Sequence, residues 1–260
     1  MNRIQKLLQE KKDIFSAYFT AGYPHLEDTM PVLEALQEAG TDLVELGMPF
    51  SDPLADGPTI QKSSEDALEN GMSIKKLFEQ IKDMRKTIDM PIVLMGYFNP
   101  VFKYGVEAFV AKCKEVGVDG VILPDLPFDE YNDKYQQLFE DANISNIFLI
   151  TPQTPDERIK LIDANSNGFI YMVSSAAVTG AKSGLSDQQL AYFNRVNNLG
   201  LSTPRIIGFG ISNKETFTTA CKYASGAIVG SAFVKLLAEK GADKVSINDF
   251  VKGIKDTSEK

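Results

Sequence analysis

The chain has 260 residues, 43% hydrophobic and 24% charged, with a net charge of −8; these are globular proportions with no low-complexity tract. An acidic balance without a run of Lys and Arg argues against a nucleic-acid partner, so an anionic ligand would have to be held by local dipoles. Cys113 and Cys221 have no second Cys or His at metal-ligand spacing, and two cysteines make no disulfide framework.

The N-terminus, Met1-Asn2-Arg3-Ile4-Gln5-Lys6-Leu7-Leu8, starts an amphipathic helix without the apolar core of a signal peptide. No later segment approaches a membrane-spanning run, and a cytoplasmic location is the expectation. Apolar runs bounded by turn residues predict eight strands, at Ile14–Thr20, Leu43–Leu46, Ile92–Met95, Gly120–Leu123, Ile147–Ile150, Phe169–Val173, Ile206–Phe209 and Ala227–Val229. Helical periodicity fills the gaps: Met30–Ala39, Ile74–Thr87, Val106–Val116, Glu130–Ala142, Pro155–Ala164, Asp187–Leu199, Asn213–Tyr223 and Ser231–Glu239, with one more helix over 246–258. His25, the single histidine, follows Pro24 in a loop. Ser-His-Asp or His-rich metal chemistry would have to run through that one residue, so no metal site is expected.

Three helix-to-strand joints repeat a theme: Ala39-Gly40-Thr41-Asp42, Val116-Gly117-Val118-Asp119 and Ala224-Ser225-Gly226. A glycine past a helix end followed at once by an apolar strand is a short αβ turn. Eight such units without a linker or composition break favour a single (β/α)8 TIM barrel over residues 1–260 rather than a doubly wound sheet, with an extra N-terminal helix and a C-terminal helix.

In that fold the chemistry belongs on the loops that leave the strand C-termini. Two carboxylates meet there. In Asp42-Leu43-Val44-Glu45-Leu46-Gly47, period-two alternation puts Glu45 on one face with Leu43 and Gly47, so a core-facing strand receives an acid. Burial disfavours the charged form and should raise the pKa of Glu45, which suits a proton donor near neutral pH. Asp56 follows Pro53 and precedes Gly57-Pro58, on a constrained but irregular segment. The alternative is structural: Glu45 a core acid satisfied by backbone, and Asp56 a cap for the helix entered at Pro58.

Gly208-Phe209-Gly210-Ile211-Ser212 follows the seventh candidate strand and Val229-Gly230-Ser231-Ala232 the eighth, each opening a helix. Glycines allow close backbone approach, and unpaired N–H groups at helix starts attract anions without Lys or Arg. Taken singly each glycine pair reads as a turn; on adjacent loops seven and eight they predict a phosphate site. Val178-Thr179-Gly180-Ala181-Lys182-Ser183-Gly184, after strand six, is small and polar enough to be a lid.

Taken together these residues resemble one family along nearly the whole chain, the α subunit of tryptophan synthase. The resemblance is carried by Phe19-Thr20-Ala21-Gly22-Tyr23-Pro24, the Glu45 to Gln61 stretch, Tyr97 and Asn99-Pro100, Pro124-Asp125-Leu126-Pro127, Tyr171 with Val178-Thr179-Gly180, and the two glycine loops. The segment Pro-Phe-Ser-Asp-Pro-Leu-Ala-Asp-Gly-Pro-Thr-Ile-Gln is long and specific. The resemblance implies retro-aldol cleavage of indole-3-glycerol phosphate to indole and glyceraldehyde 3-phosphate, with no cofactor on this chain. It also implies a β subunit partner carrying pyridoxal phosphate, in an α2β2 complex, that receives the indole. Glu45 matches the family's acid/base, Asp56 the carboxylate that accepts the indole N–H, and Tyr171 the strand-six tyrosine beside the acid. By the same resemblance Thr179, Gly180, Gly210, Gly230 and Ser231 hold the substrate and its phosphate, and Asp52, Pro53, Asn99 and Pro127 face the partner. The chain departs in carrying Ala177 where the family usually has Gly and Ser175 where some members have Arg. If position 177 needs φ > 0, Ala would cost about 1 kcal/mol there and burden lid closure.

Two other readings share parts of this pattern. A phosphosugar enzyme on the same barrel would carry the phosphate loops but has no reason to carry the Glu45 and Asp56 loop. Retained acids argue against a regulatory subunit that only holds and activates a partner, although both roles can coexist in one chain.

Overall fold

The computed structural model describes residues 1–54, 56–174, 186–208 and 210–255. The chain begins with helix α1 (Arg3–Glu10) and strand β1 (Ile14–Thr20), followed by α2 (Thr29–Glu38), β2 (Leu43–Gly47), α3 (Pro58–Glu69), α4 (Ile74–Ile81) and β3 (Ile92–Met95). Next come α5 (Phe98–Tyr104), α6 (Val106–Val116), β4 (Gly120–Ile122), α7 (Phe128–Lys134), α8 (Gln136–Asp141), β5 (Ser145–Asn146) and β6 (Phe148–Ile150). The remainder is α9 (Asp156–Ala164), β7 (Ile170–Val173), α10 (Asp187–Asn197), β8 (Arg205–Gly208), α11 (Lys214–Cys221), β9 (Gly226–Val229), α12 (Ser231–Lys240) and α13 (Lys244–Lys255).

All strand pairs are parallel, in the order β5-β4-β3-β2-β1-β9-β8-β7-β6. β5 and β6 are two halves of one stave interrupted at Ile147, whose N–H still reaches the carbonyl of Val121 on β4 at 2.9 Å. One half pairs with β4 and the other with β7, so eight staves close the (β/α)8 barrel. β1, β2, β7 and β9 are buried at every position. Parallel strands covered on both faces read as continuous apolar runs, and that is why they stand out in the sequence.

The helices depart from expectation in three places. The stretch 130–142 forms two helices because Tyr135 leaves helical geometry, with φ −122° and ψ −19°. The stretch 74–87 ends as an α-helix at Ile81 and continues through a 3-10 turn at Met84–Lys86. α5 was not expected, because Asn99-Pro100 reads as a loop. Pro100 lies in its first turn, where a missing N–H leaves no helical bond unmade, and Gly105 at φ 93° separates it from α6.

The lower end of the barrel is built for stability. Gly40 and Gly117 take φ of 83° and 82° past their helices, and each turn then delivers an aspartate to the foot of the neighbouring strand. Asp42 accepts the N–H of Phe15 at 2.9 Å, and Asp119 accepts that of Ile92 at 3.0 Å. Both carboxylates are buried and paired: Asp119 with Arg85 at 2.6 Å and Arg3 at 3.2 Å, Asp42 with Lys255 at 2.9 Å and with Lys11. α1 lies against this end, with Ile4 buried and the Asn2 amide donating to the Asp119 carbonyl at 3.0 Å. Each of these carboxylates has two cationic partners, so the loss of one leaves the other in place.

Candidate active site

The opposite rim carries the acids. Tyr18 on β1 and Glu45 on β2 are partners in register, as are Thr20 and Gly47 two residues further along. Glu45 is 0% exposed, and among the described residues neither carboxylate oxygen has a hydrogen-bond partner. Burial alone pushes its pKa up to about 8. At neutral pH this side chain is therefore mostly a neutral acid with a proton to give. A structural buried acid is normally paired, as Asp42 and Asp119 are; Glu45 is not, so the reading of a backbone-satisfied core acid does not hold.

Asp56 sits on the loop after β2 and is 9% exposed. The hydroxyl of Tyr97, just past β3, donates to its Oδ2 at 3.3 Å. Burial raises the Asp56 pKa to about 6, opposed by the Tyr97 bond. Asp56 is not the helix cap: the N-cap of α3 is Gly57, with no capping side chain. The loop is instead held by its own turns, with Asp56 N–H on the Pro53 carbonyl at 3.0 Å and the Gln61 amide on the Asp56 carbonyl at 2.9 Å. Asp56 borders a small cavity walled by Tyr18, Met48, Phe50, Met95, Tyr97 and Pro124. The Phe50 and Tyr97 rings lie 5.0 Å apart on one side of it. Flat apolar walls with one carboxylate suit a planar aromatic ring bearing an N–H.

Tyr171 on β7 is buried and points into the same interior, its phenol held well above the ordinary range by burial and then by Glu45 and Asp56. Its hydroxyl lies over Gly208, where an added Cβ would come within 2.0 Å of it. Gly208 is thus the close approach that admits this ring.

Of the glycine loops, Gly210 has φ 77° and lies beside Ser174 and Gln189, which are themselves bonded at 3.3 Å. The two helix starts differ. α11 is closed by Asn213, whose side chain caps Thr216 N–H, and the Ser212 and Asn213 N–H groups are taken by Thr216 Oγ1. α12 begins at Gly230 and Ser231 with no side-chain cap hydrogen bond. A Cβ added to Gly230 would lie 3.7 Å from the side chains of Tyr18 and Ile60. Thr179 and Gly180, with Ser175 and Ala177, lie outside the described residues, so the expectations for the lid and for position 177 concern a segment about which nothing further is said.

Asp52, Asn99 and Pro127 are exposed and Pro53 is half-buried, all on loops or helix starts that follow β2, β3 and β4. Leu54 among them is 90% exposed and Phe102 63%. Tyr18, Thr20, Ser63 and the Tyr97 bond to Asp56 were not singled out from the sequence as site features. Tyr18 and Thr20 share the face of Ser16 on β1, and that alternation was the available signal. Among the described residues no cluster of three His, Cys, Asp or Glu could hold a metal ion. No described helix is long and apolar enough to cross a membrane.

The comparisons with known proteins decide the family. The family model for the tryptophan synthase alpha chain matches residues 4–257. The chain belongs to the tryptophan synthase alpha chain family. The Flavobacterium johnsoniae tryptophan synthase alpha chain is 59% identical to it over 245 residues, covering 94% of this chain and 97% of that one. The Parabacteroides distasonis alpha chain is 51% identical, covering 98% and 100%. Among solved structures, a tryptophan synthase complex from Pyrococcus furiosus matches with a TM-score of 0.85 at 36% identity, over 94% of this chain and 98% of that one. As a tryptophan synthase alpha chain it is a lyase of tryptophan biosynthesis that cleaves indole-3-glycerol phosphate. The rival reading of another phosphosugar enzyme on the same barrel is set aside by these matches.

Proposed function

We propose that the α reaction is carried out in this chain by Glu45 and Asp56, with Tyr171 beside them and the phosphate at the start of α12. The observation that carries the assignment is a fully buried Glu45 with no hydrogen-bond partner among the described residues, in the same barrel mouth as a second acid that is fixed by Tyr97. An indole carbon leaves only after C3 is protonated. Glu45, neutral below about pH 8, delivers that proton and, once ionised, takes the proton of the glycerol hydroxyl next to the breaking carbon–carbon bond. Asp56, ionised above about pH 6, accepts the indole N–H and stabilises the positive charge that C3 protonation puts on the ring. Tyr171 packs against the reacting region and keeps water from Glu45. Gly230, Ser231, Gly210 and the lid residues Thr179 and Gly180 receive the phosphate through backbone N–H groups, in a chain whose net charge of −8 supplies no general attraction.

The chain itself needs no cofactor for these steps. Indole passes to a β subunit carrying pyridoxal phosphate, in an α2β2 assembly in the cytoplasm, and Asp52, Pro53, Asn99 and Pro127 face that partner. Support for the docking side comes from the exposure of Asp52, Asn99 and Pro127, and of Leu54 and Phe102, around the loops that follow β2, β3 and β4. The test is to incubate the isolated chain with indole-3-glycerol phosphate while monitoring indole, then to repeat it with a pyridoxal-phosphate β subunit and serine. Indole without the partner, and tryptophan with it, is the expected result; no indole in either arm overturns the assignment.

A further inference from the structure

Tyr97 is held between two bonds to the same neighbouring stretch of chain. Before it, the Gly96 N–H donates to the carbonyl of Ile122 at the end of β4 at 3.1 Å; after it, the Phe98 N–H donates to Oδ1 of Asp125, in the loop that follows β4, at 2.8 Å. The Tyr97 side chain reaches to the other side of β3, toward β2. There its hydroxyl donates to Asp56 Oδ2 at 3.3 Å and its ring lies 5.0 Å from that of Phe50, both in the loop after β2. Asp125 is exposed, and nothing in the proposed chemistry uses it.

The local sequence explains why the outer tie comes from another loop. Tyr97 is the N-cap residue of α5, extended at φ −103° and ψ 151°, and its side chain makes no capping bond. A helix start leaves its first N–H groups without partners inside the helix, and a short polar side chain at the N-cap usually takes one of them. The phenol of Tyr97 is turned to Asp56 instead, so the Phe98 N–H is taken by a carboxylate from the loop after β4. The Phe98 ring also packs on Phe102 and Tyr135, at 6.0 and 5.6 Å between centroids. Such ring contacts hold α5 against its neighbours but fix its start less sharply than a directed bond to a carboxylate. With the Asp125 bond gone, the Gly96 bond to Ile122 is a single point about which Tyr97 and the start of α5 can turn.

We infer that Asp125 is a positioning residue for the α reaction: by taking the Phe98 N–H it sets the start of α5 so that the Tyr97 hydroxyl reaches Asp56. The inference rests on the proposed role of Asp56 for its catalytic meaning, whereas the linkage from Asp125 through Tyr97 to Asp56 rests on the two bonds themselves. The loops after β2, β3 and β4 thereby act as one unit. What Asp125 supplies is an acceptor oxygen at a fixed place, so a neutral side chain of the same shape serves as well. Its loss acts on the reaction in the way that loss of the Tyr97 hydroxyl does. Asp56 is then less firmly placed for the charge that appears on the ring in the transition state, while binding of the neutral substrate is affected less.

The test reads Tyr97 before it reads turnover. In the full chain, the carbon NMR signal of Tyr97 Cζ, assigned by its absence from Tyr97→Phe, reports the bond to Asp56, and Asp56→Ala gives the position without it. Asp125→Ala should move the signal toward that position, whereas Asp125→Asn, which keeps an acceptor oxygen, should leave it near wild type. In turnover of indole-3-glycerol phosphate, Asp125→Ala should lower kcat by about two- to tenfold, the scale of one hydrogen bond, with KM changed less, and Asp125→Asn should recover most of that loss. Adding Asp125→Ala to Tyr97→Phe should cost little more, because the two changes break one linkage. An unmoved Tyr97 signal in Asp125→Ala, or a loss of kcat that is undiminished in the Tyr97→Phe background, overturns the inference. So does a loss confined to the rate with the β subunit present, which would make Asp125 a docking residue. Should Asp125→Ala fail to fold, Asp125→Leu, which also lacks an acceptor, is read in the same way. Full turnover in Asp56→Asn is a separate result: it removes the catalytic role of Asp56, and the Tyr97 signal still decides the linkage.

Discussion

Tyr97 reaches from the end of β3 to the loop after β2 and donates its hydroxyl to Asp56 Oδ2 at 3.3 Å. The bond ties together two neighbouring barrel loops that also meet through the Phe50 and Tyr97 rings, and it favours the ionised form of Asp56 against the burial that opposes it. Glu45 has no such bond among the described residues. One acid is therefore kept charged and the other neutral in the same barrel mouth.

That division predicts the Glu45 variant. Glu45→Gln keeps the shape and neutrality of the resting acid but has no proton to deliver, so the folded variant should bind substrate and lose about 10²–10⁴-fold in turnover. Indole release under saturating substrate checks it, and retention of most of kcat would remove Glu45 from the acid role.

Asp56→Asn keeps the size and an acceptor oxygen but not the charge. The ground-state indole N–H needs only the acceptor, whereas the protonated ring needs the charge, so kcat should fall by about 10²-fold or more with KM changed far less. A large rise in KM with kcat intact would make Asp56 a binding or loop-holding residue. Tyr97→Phe should produce a smaller loss in the same direction.

Much of this was legible in the chain and some was not, for physical reasons. Strands buried on both faces show as apolar runs, so the eight staves were found within a residue or two, and Glu45 stood out as the one acid inside such a run. α5 was missed because Pro100 marks a loop in most settings and only position within the first turn makes it harmless. Tyr18 was missed because a tyrosine in an apolar strand is indistinguishable from core packing until its hydroxyl is seen over Gly47 and beside Thr20. The same holds for Tyr97 and Asp56, 41 residues apart in sequence, whose pairing exists only once the barrel is closed.

The pH dependence follows from the two carboxyl values. If the proposed roles hold, with Asp56 charged and Glu45 protonated, kcat/KM should describe a bell with limbs near 6 and near 8, the values of the free chain. Stability moves with the same groups. The folded pKa of Glu45 lies above its ordinary value of 4.5, so the native state binds the extra proton between that value and about 8. Its stabilising share is complete below 4.5 and is lost as pH rises through 8, with a slope of up to about 1.4 kcal/mol per pH unit in between. Denaturant unfolding of wild type should show this decline, and Glu45→Gln should lack the share due to Glu45. Parallel pH dependence in the two proteins would mean that Glu45 is not held protonated.

Chelation should leave the α reaction unchanged. Among the described residues no group of three His, Cys, Asp or Glu could hold a metal ion. Indole formation after exhaustive treatment with EDTA, with and without added Mg²⁺, checks this. Activity lost to the chelator and restored by Mg²⁺ would require a different mechanism.

The last prediction concerns the Asp56 loop and the partner. The loop places Asp56 inward while Leu54, two residues away, is 90% exposed, an arrangement that leaves an apolar side chain in water at a cost of about 1.5–3 kcal/mol relative to burial. Among the described residues the Pro53 and Asp52 carbonyls accept one backbone N–H each from within the loop, and Gln61 holds it from α3. A β subunit that covers this surface would bind the inward-facing form of the loop more tightly than any other, and binding must then shift the loop toward that form. The isolated chain should accordingly be a slow lyase, and the β subunit should raise kcat without contributing catalytic groups. Asp52→Ala and Pro53→Ala should weaken that activation by about tenfold while leaving the slow rate of the isolated chain within about twofold, since neither side chain enters the acid pair's hydrogen bonds. Measuring indole release by each variant alone and with saturating β subunit separates the two effects. Full activation of both variants, or equal rates for wild type alone and in the complex, would show that the partner does not act by ordering this loop, whatever the roles of Glu45 and Asp56.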